Sequence, residues 1–238
     1  MMHWNGSAWV TLNPGTNDQL LTISNGNLIW TLIPGYAKSI TDIDDNLYKT
    51  VNIGNQQWMA ENLKVTKYND GTAITNVPDG TQWKNLTTAA WCYYNNEGAN
   101  NTKYGNLYNW YAVSPTTNGG KNVCPTGWHV PTDADWTVLT DYLGGETVAG
   151  GEMKEVGTAS WNTPNTGSTN TSLFTGLPGG LRYDSGNYLN VGYGGYWWSS
   201  SEGSTSSARS RYLVNDSGNA SRSSSSKRLG LSVRCLRD

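Results

Sequence analysis

The residues that could carry out chemistry are few: three cysteines and two histidines in 238 residues. His129 lies in the apolar stretch Gly127–Val130, which favours a hydrogen-bonded structural role over that of a general base. Neither a Cys-x-x-Cys pair nor a His-x-x-x-His pair offers metal-ligand spacing. Cys92, Cys124 and Cys235 permit at most one internal disulfide, and packed, reduced thiols are the alternative. The sequence therefore predicts no catalytic centre and no transition-metal site.

A short acidic run, Asp42–Asn46, contains oxygen ligands of the kind that calcium prefers. The run resembles the beginning of an EF-hand loop, but Leu47 stands where that loop needs glycine and Ile53 stands where it needs glutamate. We interpret the run as a turn that leads into a strand at Leu47. We expect no cofactor, and a structural calcium ion elsewhere in the chain stays open.

The charge pattern bears on partners. The formal net charge is −2, and basic residues concentrate only in the last thirty positions. These residues are Arg209, Arg211, Arg222, Lys227, Arg228, Arg234 and Arg237. Solvent-exposed charges and ion pairs within the protein explain these basic residues better than a surface that binds nucleic-acid phosphates. We therefore expect no nucleic-acid partner. No stretch approaches the ~20 apolar residues of a membrane span. The first residues, Met1 to Asn5, show no signal peptide. Either the chain is exported by another route, or its native N-terminus has been removed.

Composition predicts an α+β or β-rich chain with long irregular loops. Glycine contributes 28 residues, charged residues only 14%, and the aromatic residues are 12 Trp and 14 Tyr against one Phe. Trp and Tyr suit irregular interiors because each ring carries a hydrogen-bonding tip. Residues 1–40, with turn dipeptides between short apolar runs, are expected to form a small β-rich attachment module. Residues 41–238 form the main domain.

Local patterns place several elements in that domain. Gly54-Asn55 predicts a hairpin turn between strands at 47–53 and 56–59, and the spacing of apolar residues predicts a short helix over 104–113. Thr132 and Asp135 predict a capped helix that ends at Gly144-Gly145. Beyond residue 145 the chain is expected to be mostly loop. The serine-rich tract 199–228 is expected to be strands with polar loops rather than a linker, because apolar anchors interrupt it.

Six stretches, in one order, resemble the bacterial Fibrobacter succinogenes major paralogous domain. They are Gly54–Leu63, Tyr104–Trp110, Cys124–Thr132, Leu177–Gly180, Gly195–Ser200 and Gly230–Cys235. The resemblance implies a C-type lectin-like fold of the formylglycine-generating-enzyme branch, in which the terminal strands of the domain pair and long loops hold the binding site. The shared parts would be the helix start Val130–Trp136 and the last strand Ser232–Asp238.

The resemblance also implies roles for the cysteines. The enzyme relatives need a reactive cysteine pair and copper, whereas Cys92, Cys124 and Cys235 fall in scaffold stretches, so the chain is expected not to be an enzyme. Cys124 and Cys235 are expected to lie close enough to bond in an oxidising compartment. A bond between Cys92 and Cys124 is the alternative.

Many lectin-like proteins of this kind are variable proteins of diversity-generating retroelements, which mutate adenines near the 3′ end of a gene. From Asn codons this process reaches Ser, Tyr, Asp, Gly, Arg, Thr, Ala, Val and Leu, but not Lys, Glu, Gln, Met or Trp. The C-terminal variable region, about 199–229, fits this restriction, although a serine-rich loop region would also fit by chance. Reachable positions are Gly203, Thr205, Ser207, Arg209, Ser210, Val214, Asn215, Ser217, Asn219, Ser223, Ser225, Ser226, Arg228 and Leu229. Trp197, Trp198, Glu202 and Lys227 would be fixed scaffold positions.

The expected function is therefore binding. All of the reachable positions except Leu229, together with Trp197, Trp198 and Tyr212, are the predicted ligand-binding residues. The expected partner is a protein or glycan on a cell surface, and the expected location is extracellular, on a cell surface or a phage tail, with assembly through the N-terminal module left open. Alternatives are a carbohydrate-binding module without diversification and, ranked last, a formylglycine-generating-type oxidase.

Overall fold

The computed structural model describes residues 2–4, 7–11, 19–24, 27–32 and 35–238. Within these residues the strands are β1 Met2–Trp4, β2 Trp9–Thr11, β3 Gln19–Ser24, β4 Asn27–Leu32, β5 Tyr36–Thr41, β6 Leu47–Ile53, β7 Gln56–Met59, β8 Thr75–Asn76, β9 Ala90–Cys92, β10 Leu107–Tyr108, β11 Trp128–His129, β12 Gly179–Arg182, β13 Tyr188–Val191, β14 Gly194–Glu202, β15 Ser207–Val214, β16 Ser221–Ser226 and β17 Leu236–Arg237. The helices are α1 Gly80–Lys84, α2 Gly98–Tyr104, α3 Trp110–Val113, α4 Asp133–Tyr142 and α5 Glu146–Met153, with a 3₁₀ turn at Tyr94–Asn96. The chain is α+β, as predicted, with more sheet than helix.

Two five-stranded sheets and one three-stranded sheet form the domain. The first has the order β11-β17-β7-β6-β5, so the C-terminal strand β17 lies beside β7 from the N-terminal part. The second has the order β13-β12-β14-β15-β16, and the third has the order β10-β9-β8. Only the pairs β12–β14 and β8–β9 are parallel among the named strands. The predicted hairpin is confirmed, because β6 and β7 pair with Ile53 opposite Gln56.

Helix α4 forms as the sequence predicted. Thr132 caps it, and its hydroxyl oxygen accepts from the backbone N–H of Asp135, whose carboxylate accepts from the N–H of Thr132. This reciprocal box satisfies two backbone donors that the first turn would otherwise leave unpaired. Trp136 and Leu139 are fully buried on the face toward the sheets.

The helix predicted over 104–113 is wrong. The segment ends α2 at Tyr104, continues as β10 and begins again as α3 at Trp110. Gly105 has a φ of +76°, which ends the first helix. Asn109 then caps α3 by accepting from the N–H of Ala112. Apolar spacing alone could not distinguish this helix–strand–helix order from one helix, because residues 104–113 are buried almost without interruption and no single face stands out.

Helix α5 was missed, since the chain beyond residue 145 was expected to be mostly loop. Two glycines explain both the weak sequence signal and the packing. A Cβ at Gly150 would lie 2.1 Å from the carbonyl oxygen of Asn219, and one at Gly151 would lie 2.3 Å from that of Gly167. The loops therefore pack directly on the helix backbone, and glycine, a poor helix former, is required there.

Aromatic rings fill the core. Phe174 lies at the centre of a cluster with Trp58, Trp136 and Trp197, with ring centroids 5.8–5.9 Å from each of them. Trp58 and Trp136 also contact each other at 4.8 Å. Edge and tilted contacts of this kind add to the free energy gained by burial.

Cys124 and Cys235 form a disulfide with their Cα atoms 5.9 Å apart. This is the pairing that the family resemblance implied. It joins the segment before β11 to the segment before β17, and these two strands are neighbours in the first sheet. Cys92 is a free, buried thiol.

The N-terminal residues form two separate hairpins, β1–β2 and β3–β4, each in its own two-stranded sheet. Strand β5 spans the expected domain boundary at residue 40 and pairs with β6 at the edge of the first sheet. Among the helices that the structure describes, none is long and apolar enough to cross a membrane.

Removing the disulfide should destabilise the domain. The bond closes a sequence separation of 111 residues, so Cys124→Ser/Cys235→Ser should lower the free energy of unfolding by about 2–5 kcal/mol. Urea denaturation followed by tryptophan fluorescence measures this difference. Wild-type protein treated with a reductant should match the double variant, and an unchanged urea midpoint would contradict the prediction.

Buried tyrosines should make the domain unstable in alkali. Burial raises the pKa of Tyr48 and of Tyr108 well above the usual value and raises the pKa of Tyr68 to about 12. The folded chain therefore keeps protons that the unfolded chain loses above about pH 10. Stability should be intact below that pH and then fall by up to about 1.4 kcal/mol per pH unit for each such tyrosine. Denaturation midpoints at pH 10.5, 11 and 11.5 test this, because the lowered pKa of the buried Lys154 adds a rise in stability with pH only below this range. A midpoint that rises from pH 10.5 to 11.5 would refute the prediction.

Candidate ligand-binding surface

The serine-rich tract folds into the outer half of the second sheet. It is ordered, as predicted, and forms β15, β16 and the end of β14. Strand β15 lies between the other two, with Tyr212 opposite Tyr196 of β14 and Ser210 opposite Ser223 of β16. Strand β16 pairs on one side only and is therefore the edge of the sheet.

Trp197 and Trp198 do not reach this surface. Both are fully buried, and as consecutive strand residues they point to opposite faces of the sheet. Trp197 donates its indole N–H to Asn62 Oδ1 at 2.8 Å, and Trp198 donates to the carbonyl of Tyr108 at 2.7 Å. Their prediction as ligand contacts was wrong, because each ring belongs to a core on one side of the sheet.

Ser210 and Asn215 are also buried and must be removed from the exposed set. The hydroxyl oxygens of Ser210 and Ser225 lie 2.8 Å apart. The side-chain amide of Asn215 donates to the carbonyl of Thr163 at 2.8 Å. Both polar groups therefore satisfy partners inside the protein, which the sequence could not show because Ser and Asn are more often exposed.

The turn between β14 and β15 carries one group of predicted residues. Gly203 and Thr205 are exposed there. Lys227 is buried, forms an ion pair with Glu202 and donates to the carbonyl of Thr205 at 3.0 Å. Its ammonium group also lies 4.6 Å from the ring centroid of Trp110. Lys227 thus holds the turn from its buried side, while Gly203 and Thr205 stay exposed.

Three further predicted residues lie near that turn. Ser207 and Ser226 are half-buried cross-strand partners, and the hydroxyl of Ser224 donates to that of Ser207 at 3.0 Å. Arg228 is exposed and donates to the carbonyl of Lys84 at 3.2 Å.

A second group lies at the opposite end of β15 and in the loop that leads to β16. It contains Val214, Ser217 and Asn219. Lys154, which is fully buried, donates to the carbonyls of Thr166, Val214 and Ser217 at 2.7–3.0 Å. Burial lowers the pKa of Lys154 to about 8. This one ammonium group holds the loop in place.

The remaining predicted residues lie along the strands and divide between two faces. Arg209 shares the face of Leu213, whereas Tyr212 shares the face of Ser223 and Ser225. Tyr212 stacks on Tyr196 with ring centroids 5.9 Å apart. Because these residues divide between two faces, the predicted positions surround the outer half of the sheet rather than forming one flat patch. They also extend along the strands, since an eight-residue strand is roughly 25 Å long.

Two arginines that the ligand-binding prediction left out attach this surface to the helices. Arg222 contacts both carboxylate oxygens of Asp133 at the start of α4. Arg211, its cross-strand neighbour, is buried, pairs with Glu146 at the start of α5 and donates to Thr137 Oγ1 at 3.0 Å. Acidic residues at helix N-termini are too common to have revealed these pairs from sequence.

His129 and Cys92, the residues most able to do chemistry, are held in surroundings that suit a structural role. His129 lies between two carboxylates, with Nδ1 2.7 Å from Asp238 Oδ1 and Nε2 3.4 Å from Asp135 Oδ2. Burial raises the pKa of the Cys92 thiol, which is the opposite of what an activated cysteine needs.

The acidic run forms the predicted turn before β6. Asp42 accepts from the hydroxyl of Tyr48 at 2.6 Å, while Asp44 accepts from the backbone N–H of Thr66 and forms an ion pair with Lys67. These carboxylates are thus engaged by protein donors. In the part of the chain that the structure describes, no group of three His, Cys, Asp or Glu residues could hold a metal ion.

Arg209 and Arg211 allow a predicted binding-surface residue to be compared with a residue that stabilises the fold, since both lie on the same face of β15. Among the described residues Arg209 makes no ion pair, so Arg209→Ala should change the free energy of unfolding by less than about 0.5 kcal/mol. Arg211→Ala should cost about 2–3 kcal/mol, because it removes a buried charge that joins the sheet to both helices. Thermal and urea denaturation of the two variants measure the contrast, and equal losses would contradict this division.

Comparison with known proteins identifies the domain. The Fibrobacter succinogenes major domain matches residues 51–237. The match covers both five-stranded sheets except for β5 and the beginning of β6, and it includes the whole candidate surface. No curated protein and no solved structure matches the chain. The chain belongs to the Fibrobacter succinogenes major domain family.

Proposed function

We propose that this chain is a non-enzymatic ligand-binding protein that displays a diversified surface, as an adhesin or a phage-tail receptor-binding protein. The surface is the outer half of the second sheet with its two connecting loops. The ligand is a protein or a glycan on a cell surface. The disulfide supports an extracellular location, since such bonds persist in oxidising compartments.

One observation carries this proposal: residue types that adenine mutagenesis cannot create occupy structural positions. Trp197, Trp198 and Lys227 are buried, and Glu202 pairs with Lys227. The exposed positions between them, such as Gly203 and Thr205, are of reachable types. This separation is what a gene needs if its 3′ end is to vary without loss of the fold.

We propose a C-type lectin-like fold of the formylglycine-generating type for the domain. The pairing of the C-terminal strand with β7 supports this assignment, as do the long loops that carry most of residues 60–175. So does the disulfide, which links the segment before α4 to the segment before the last strand. These features bring the variable region onto a sheet supported by two helices.

The physical properties of the surface suit adaptable but weak recognition. Ser hydroxyl groups, and backbone groups left accessible at Gly, form hydrogen bonds in many geometries, while a rigid sheet limits the entropy lost on binding. Few exposed residues are large enough to act as anchors, and a standard interface buries about 800 Å² per partner. Display of several copies would raise the effective affinity by about 10²–10⁴.

A second candidate, carbohydrate binding without diversification, is favoured by the tyrosines at one end of this sheet. Tyr193, directly before β14, is 55% exposed, and the stacked pair Tyr196 and Tyr212 on β14 and β15 is half-buried. The side-chain amide of Asn190 donates to the Tyr196 hydroxyl at 2.8 Å. Aromatic faces with a polar rim suit sugar rings. This candidate predicts glycan-array binding that Tyr193→Ala abolishes, together with an invariant 3′ end of the gene, and the second result separates it from the first candidate.

Deep sequencing of the 3′ end of the gene in its native population tests the leading proposal. Substitutions should occur at template adenines, concentrate at exposed or half-buried positions such as Thr205, Arg209 and Ser223, and spare Trp197 and Lys227. A near-copy of the segment beside a reverse-transcriptase gene should accompany them. An invariant 3′ end, or substitutions spread evenly over residues 41–238, would refute diversification.

A binding measurement complements the sequencing. Thr205→Ala/Arg209→Ala/Ser223→Ala should reduce binding to the native target cells at least tenfold without lowering the melting temperature. The matched control Val138→Ala/Val156→Ala replaces two exposed residues outside the surface, which are 54% and 57% exposed, and should leave binding unchanged. Equal binding by both variants would remove the surface from the proposal.

A further inference from the structure

The sequence before the domain contains a repeat with a period of 20 residues. Residues 4–15 and 24–35 are identical at six of twelve aligned positions. The shared residues are Asn5 and Asn25, Gly6 and Gly26, Thr11 and Thr31, Leu12 and Leu32, Pro14 and Pro34, and Gly15 and Gly35. In both copies, Asn-Gly is followed after four residues by Thr-Leu-x-Pro-Gly. Regular spacing of this kind is typical of arrays of one small structural unit.

Each copy of the repeat contains the second strand of one hairpin, together with the last residue of the first strand. Strands β1 and β2 pair with Trp4 opposite Trp9, and strands β3 and β4 pair with Ser24 opposite Asn27. The two hairpins differ in the number of residues between their strands. No described strand of one hairpin pairs with a strand of the other. Both copies of the sequence repeat therefore lie in a hairpin, but the registers differ: Trp9 lies opposite Trp4, whereas Ile29 lies opposite Thr22.

Positions that align in the sequence repeat carry large apolar side chains that are exposed. Trp9 and Ile29 occupy the same position of the repeat and are 66% and 37% exposed. Ile23 is 74% exposed. From residue 3 to residue 35 the single charged side chain is that of Asp18. Two-stranded hairpins are marginally stable in water, so these apolar residues need a covering surface.

We infer that the N-terminal hairpins are covered by the same hairpins of a second copy of this chain. Repeat units bury their apolar faces against neighbours of their own kind, and the unit is too small to do so alone. Near-absence of charge allows two copies to approach without like-charge repulsion. The repeat would thus be an assembly segment that places several domains side by side. This inference does not depend on what the domain binds.

Light scattering coupled to size-exclusion chromatography of the full chain tests the inference. Wild-type protein at 100 µM should have at least twice the mass of one chain. Trp9→Glu/Ile29→Glu should elute with the mass of a single chain, while the melting temperature of the domain stays the same. The control Val138→Glu/Val156→Glu, which also adds two charges at exposed apolar positions, should keep the larger mass.

An exchange variant tests the equivalence of the two repeats. Trp9→Ile/Ile29→Trp keeps both side chains but interchanges them, so it should retain the larger mass. A monomeric wild-type chain would overturn the inference, as would an unchanged mass of the glutamate variant or dissociation of the control. Dissociation of the exchange variant would show that the repeat positions are not equivalent. The sequencing of the 3′ end tests the proposed diversification, and its outcome does not depend on any of these mass measurements.

Discussion

Buried loop carbonyls need hydrogen-bond donors, and this constraint governs the rest of the structure. Most of the chain between β7 and β12 lacks regular sheet or helix partners for its backbone. Three buried cations supply donors instead. Lys154, Arg182 and Arg234 each donate to backbone carbonyls, and each lies against an aromatic ring. Loops that would otherwise be costly to bury are held in this way without the regular backbone bonding of a helix or sheet.

The same requirement explains the aromatic composition. Indole N–H groups of Trp83, Trp91, Trp110 and Trp161 donate to carbonyls of Arg228, Ile74, Ser199 and Gly176 at 2.8–3.0 Å. Each ring therefore fills the core and also satisfies a backbone acceptor. Phenylalanine can do only the first, and the chain contains a single one. The composition of the sequence is thus a consequence of a loop-rich interior.

This interior provides a rigid base for a surface of small polar residues. The outer sheet is covered on both faces at β15, and helices α4 and α5 are attached to it through Arg211 and Arg222. Lys227 and Lys154 fix the loops at its two ends. A surface supported in this way can change its exposed side chains while its backbone stays in place. The assembly that we infer for the N-terminal repeat would bring several such surfaces together.

The sequence by itself determined the elements whose signals are local. The capping box of α4, the hairpin of β6 and β7, and the order of the serine-rich tract follow from short patterns of residues. Only the tertiary structure decided which polar residues face solvent. It buried Ser210 and Asn215 and divided the helix expected over 104–113. Burial and exposure depend on what packs against a residue from distant parts of the chain, and in a loop-rich fold no local period records that.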